Sequence, residues 1–204
     1  MEVCNPNCGS AIPINDWSKS CDITTRTGGI PYLIFLKCDP DLVYPNPPAP
    51  GETDPLTNLD NVKWAICQGI LHVSPNLLGK KDKGSFTKRR LSSCGPEQTI
   101  AGSQTIAFQD FNADPNLTDF DWWNSIVANK RYMNLGWITC DELVYKTDAE
   151  WDIELGDVIE DTKDGMNYKD GVITISEKEL VKPVSIPGII AVLNSYLITE
   201  NCYS

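Results

Sequence analysis

By type and spacing, three kinds of residue in this 204-residue chain could do chemistry: its thiols, its single histidine and its one dense run of cations. The thiols begin with the close pair Cys4 and Cys8 in CNPNC, followed by Cys21 and Cys38. Four thiolates can hold zinc tetrahedrally, but zinc ribbons are built from two close pairs and only one is present here. A disulfide, or free thiols in a polar leading segment, is the expectation for CNPNC, and no metal site is assigned. The even total of eight cysteines would signal a disulfide framework in a secreted chain. MEVCNPNC, however, has neither a basic start nor an apolar core and does not read as a secretory signal. Cys38, Cys67 and Cys140 lie in or beside apolar runs and are expected to be buried thiols acting as small hydrophobes.

His72 stands inside the apolar GILHVS. A lone strand histidine is far more often packed or solvated than a base, and nucleophile activation through imidazole would have to use this residue alone. Neither G-x-S-x-G nor a Walker A spacing occurs, and GKKDKGS lacks the glycine placement that wraps amides around phosphate. The 28 Asp and Glu supply so many carboxylate pairs that no pair is informative. EDTKDG begins like a calcium loop, but its twelfth position is Gly171 in place of a bidentate glutamate, so an Asp-Gly turn is the better reading. Neither an enzyme nor a cofactor is expected.

The cations remain. Lys80, Lys81, Lys83, Lys88, Arg89 and Arg90 are six of the 17 Lys and Arg, crowded into GKKDKGSFTKRRLSSC around the single acid Asp82. The formal net charge of the chain is -11, so with +5 in this stretch the remainder carries -16. A solvated hairpin tip is the plain explanation for such a run. Nucleic-acid binding is disfavoured, because the surrounding field repels a polyanion and Phe86 is the only aromatic among the lysines. Docking onto an acidic protein surface fits better. Asp141 to Asp164 holds ten acids against Lys146 and Lys163, a net of -8 that includes Glu150, Asp152, Glu154 and Asp157. One basic projection and one acidic strand region on the same chain allow head-to-tail association, which closes into rings or stacks into filaments.

These residues need elements to position them. Residues 1–29 are polar and turn-rich and read as an irregular arm, ahead of one β-rich domain over 30–204. GGIPYLIFLKC reads as a buried strand. Residues 39–55 hold six of the 14 prolines and read as an exposed loop, and 79–94 reads as a basic loop. VKWAICQGILHV is expected as a strand pair or a long bent strand with a bend at Gly69. QTIAGSQTIAF is expected as strand, glycine turn, strand. One helix is expected, at about 118–131, with Thr118 capping, Asp121 three residues on, and a stripe of Phe120, Trp123, Ile126 and Val127. WDIELGDVIE and GVITIS read as strands with hairpin turns at Asp164-Gly165 and Asp170-Gly171, and the run Ile186 to Ile198 as a last strand. The apolar runs are too short to span a bilayer. The fold class is therefore mainly β, a sandwich or barrel with one flanking helix.

The runs KGSFTKRRLSSCGPE, QTIAFQDFNADPNLTDFDWWNSI and LGWITCDEL resemble virion proteins of tailed phages that infect Bacteroidetes, in particular a tail-tube or tail-tube-like ring protein. That resemblance implies a β-sandwich with a flanking helix, six-fold rings, a virion tail location after assembly in the host cytoplasm, and other tail or connector proteins as partners. It also implies a long loop, here Gly79–Arg90, reaching the next ring, and DNA passing through a lumen whose acidity would keep phosphates from sticking. The competing expectation is a monomeric carbohydrate-binding or adhesin-type module. Trp122, Trp123, Trp137 or Trp151 would then form an exposed platform, although patterning places Trp123 and Trp137 in the core.

Overall fold

The computed structural model describes residues 29–39, 41–82, 84–90, 97–111, 118–160, 167–177 and 181–199. Cys4, Cys8, Cys21, Lys83, the Asp164-Gly165 turn and nearly all of the N-terminal arm lie outside them, as do the side chains of Thr118 and Phe120. Among the described residues ten strands form two antiparallel sheets. The first takes β1 (Tyr32–Lys37), β2 (Leu71–Val73), β6 (Met133–Ile138), β7 (Leu143–Thr147) and β10 (Val184–Ser185), in the order β10-β7-β6-β1-β2. The second takes β3 (Leu77–Lys81), β5 (Glu97–Asp110), β8 (Trp151–Glu160) and β9 (Asn167–Ile175), in the order β3-β5-β9-β8, with β4 (Ser85–Arg90) paired to the first half of β5.

Apolar side chains on both faces of β1 explain its interior place between β6 and β2. Leu33 and Phe35 point at the second sheet, where Ile106, Phe108, Ile153, Ile173 and Ile175 meet them. Tyr32 and Ile34 point the other way, into a second core closed by α1 (Leu59–Cys67) and α3 (Ile189–Thr199). A strand buried on both faces reads as a continuous apolar run, as YLIFL does. The expected helix forms as α2 (Thr118–Asn129) and continues as a 3-10 turn through Tyr132. Its Trp123 and Ile126 are sealed between the sheets, and the Trp123 indole donates to Asp110 at 2.9 Å. On the outer face of the second sheet Leu78, Lys80, Ala107, Val172 and Glu154 are exposed among the described residues. The protein is thus mainly β, a sandwich with flanking helices.

Two expected strands are helices. VKWAICQG forms α1, capped by the Asn58 side chain, which accepts from the Asp60 amide at 3.0 Å. It ends in a Schellman motif: Ile70 N–H donates to Ala65 O and Gly69 N–H to Ile66 O, with Gly69 at φ +64°. The glycine read as a strand bend is a helix stop. The C-terminal run forms α3, whose Ile189 and Leu193, four apart, are buried against the first sheet. Such a run is apolar at most positions, so its periodicity gives no clear signal that separates strand from helix.

Two expected turns are strand interiors. Asp170-Gly171 lies within β9, and Gly171 is there because the Phe108 ring occupies the space a Cβ would need. QTIAGSQTIAF is one strand, in which Gly102 makes room for the Glu177 carbonyl. The proline-rich segment is only partly exposed, since Asn46, Pro47 and Ala49 are hydrogen-bonded to Asn61, Asn58 and Thr57. The cysteines differ as well. Cys38, just beyond the end of β1, and Cys140, in the turn after β6, are exposed free thiols. Cys67 is disulfide-bonded. No helix among the described residues is long and apolar enough to cross a bilayer.

Candidate assembly surface

The basic stretch is two strands rather than a loop. β3 pairs with the second half of β5, Leu77 opposite Asp110 through Lys81 opposite Ile106. After Asp82–Gly84 the chain rejoins the same side of β5, Ser85 opposite Ser103 through Arg90 opposite Glu97. β4 and the start of β5 therefore make a two-stranded ribbon that continues the second sheet past its core. Phe86 and Gly102 mark the end of the packed region, since the Phe86 ring lies against Gly102. Beyond them Lys88, Arg89, Arg90, Glu97 and Gln98 are exposed. Successive side chains alternate across a strand, so Lys88 and Arg90 fall on one face of the ribbon and Arg89 on the other.

The six cations do not share one role. Lys80 projects from the open face of the second sheet. Lys81 turns inward, its ammonium 4.9 Å from the centroid of the Trp137 ring, and burial lowers its pKa. It is a packed cation and not a projecting contact. Lys83 lies outside the described residues. Lys88, Arg89 and Arg90 form no ion pair among the described residues. They are the free part of the charge.

The acidic counterpart sorts in the same way. β8 is the opposite edge of the same sheet, paired only to β9 among the described residues. Glu150, Asp152 and Glu154 are exposed on or beside it, alternating with the buried Trp151 and Ile153. Asp152 is already engaged: Lys130 bonds its carboxylate and the Ile153 amide donates to it at 2.8 Å, which holds its pKa below the usual carboxylate value. Glu142 is engaged too. It adopts φ +59° between β6 and β7, and its carboxylate accepts the Gly188 amide at 2.9 Å, just ahead of α3. Lys146 pairs with Asp54. Glu150 and Glu154 remain as exposed acids at this edge, and the Asp157 side chain lies outside the described residues.

The open face between these edges carries a mixed row. Lys80 on β3 stands opposite Ala107, then Val172, then Glu154 on β8. Asp82, Asp152 and Asp170 flank it, making this face acidic on balance. A groove of about 910 Å³ runs by β3, lined among others by Leu78, Lys81, Trp137, Thr139, Tyr145 and Val172. The four tryptophans that a platform would use do not form one: Trp123, Trp137 and Trp151 are buried and Trp122 is half-buried against the core. His72 sits half-buried on β2 opposite Phe35, its pKa lowered by desolvation.

Edge position was the feature that residue counting missed. The sequence locates the charges, but strand order decides that they lie on opposite ends of one sheet. Comparison with protein-family models, curated proteins and solved structures gives no match.

Proposed function

We propose that this chain is a non-enzymatic structural subunit that self-associates head to tail into a ring, and that the ring belongs to a phage tail, as tail tube or as a tail or connector ring. The observation that carries the self-association is the charge of one sheet's two ends. A ribbon bearing unpaired Lys88, Arg89 and Arg90 leaves one end, and Glu150 and Glu154 stand exposed at the other. Surfaces of opposite sign on one molecule steer unlike ends together and fix the register of encounter. The virion assignment rests on the resemblance of the basic, helical and LGWITCDEL runs. Two further features agree with it: the sandwich with a helix beside it, and an acidic open face suited to a lumen that repels phosphate.

The test is the mass of the purified protein in solution at low and high salt. A ring or stacked rings that weaken with salt is the expected result, since exposed charges are screened within about 10 Å at 0.1 M. A monomer at every concentration and ionic strength overturns the proposal. The groove beside Trp137 and Tyr145 favours a second reading, a monomeric binding module that holds its ligand there in place of on exposed tryptophans.

A further inference from the structure

We propose that the groove beside β3 binds a small organic carboxylate with an apolar body, its charge taken by Lys81 and its hydrocarbon by the groove wall. This goes beyond self-association; it rests on the second reading above, that the groove holds a ligand, and names the chemical class of that ligand.

Lys81 lines the groove, with its ammonium 4.9 Å from the centroid of the Trp137 ring. It makes no ion pair or hydrogen bond among the described residues. Lys130 and Lys146 are also half-buried, and each is paired with a carboxylate, of Asp152 and of Asp54. An ammonium that has lost hydration and gained no counter-charge attracts an anion more strongly than it would in water. The lowered pKa of Lys81 has the same cause. Nearby acids are turned to other partners. Asp82 accepts the Thr105 hydroxyl at 3.0 Å. The Asp170 carboxylate lies over Gly156 of β8, on the far side of β9 from β3. Lys80 adds a second, exposed cation to the lining.

The wall around this charge is apolar. Tyr145 stacks on Trp137 with ring centroids 5.1 Å apart and planes 8° from parallel. The Tyr145 hydroxyl makes no hydrogen bond among the described residues, so the same aromatic pair offers a second donor to a carboxylate. Ile30, Leu78, Phe108 and Val172 line the rest. A volume of about 910 Å³ suits a small organic molecule.

The backbone argues against a peptide strand as the occupant. Ile30 N–H donates to Gly79 O at 2.9 Å, Gly79 N–H to Ile30 O at 3.1 Å, and Leu77 N–H to Pro31 O at 2.8 Å. Those main-chain groups of β3 are already taken, and an added strand draws its affinity from such groups. Recognition here falls to side chains, which fits a small molecule.

The experiment titrates the full chain with phenylbutyrate and with its neutral amide, phenylbutyramide. Calorimetry measures the affinity, and two-dimensional NMR follows the Trp137 indole N–H, assigned through its contacts with Tyr145. The acid should bind at least about tenfold more tightly than the amide and should move the Trp137 signal, as a charge-assisted hydrogen bond requires. Lys81→Met keeps a stem over the ring without the charge. It should weaken the acid at least about tenfold and leave the amide unchanged, with urea unfolding to show that the variant is folded. If that variant does not fold, the comparison of acid with amide on the native protein decides. Equal binding of acid and amide with a shifted Trp137 signal overturns the carboxylate class and leaves a groove ligand standing. Undiminished binding of the acid to folded Lys81→Met overturns the role of Lys81, and binding that leaves Trp137 unmoved overturns the site. No binding of either probe up to about 10 mM overturns both this proposal and the groove reading beneath it.

Discussion

Asn61→Ala should destabilise the protein by about 3 kcal/mol, because one buried amide ties down the proline-rich segment. Asn61 is fully buried on α1 and uses both ends of its side chain. Its oxygen accepts the Asn46 amide at 3.0 Å, and its nitrogen donates to Asn46 O at 2.8 Å and to Pro55 O at 2.9 Å. Prolines at 45, 47, 48 and 50 bring no N–H donors, so the carbonyls of this segment need side-chain donors. Asn58 serves Pro47 O in the same way at 3.0 Å. Three bonds at roughly 1 kcal/mol net each give about 3 kcal/mol, with the value falling toward 2 where water reaches the freed groups. Urea unfolding followed by tryptophan fluorescence measures the loss, and limited proteolysis should show new cleavage within 41–55 in the variant alone. A loss below about 0.5 kcal/mol with unchanged proteolysis would refute the claim that Asn61 anchors the segment.

Gly171→Ala should cost about 1 to 3 kcal/mol, since its new methyl group enters the space of the Phe108 ring. Combining it with Phe108→Leu should cost less than the sum of the two single changes, and strict additivity by urea unfolding would contradict the contact. In the native protein a thiol reagent should label Cys38 and Cys140 while sparing Cys67 until a reductant is added. Peptide mass mapping reads this directly, and native labelling of Cys67 would refute its disulfide.

What the sequence by itself determined follows from residue type and local spacing. The composition and the apolar YLIFL run pointed to a mainly β class. The stripe through Trp123, Ile126 and Val127 placed α2 within two residues of its end. The acidic balance, the basic run and the single histidine were plain. The two misread helices share one cause. VKWAICQGILHV and the run to Ile198 are apolar at most positions, with too few polar residues for periodicity to separate strand from helix. The Asn58 cap and the Gly69 stop were the local signals that could have corrected the first.

Tertiary structure decided the rest, because each remaining feature depends on a partner distant in sequence. Gly171 looked like a turn residue until Phe108, 63 positions earlier, was brought against it. Lys81 and Asp152 carry the same formal charges in the sequence as Arg89 and Glu154. Packing against Trp137 draws Lys81 partly out of solvent and Lys130 pairs with Asp152, while Arg89 and Glu154 form no ion pair among the described residues. Above all, charge along a chain has no ends. Strand order gave this chain two, by placing β4 and β8 on opposite sides of β5 and β9 in one antiparallel sheet.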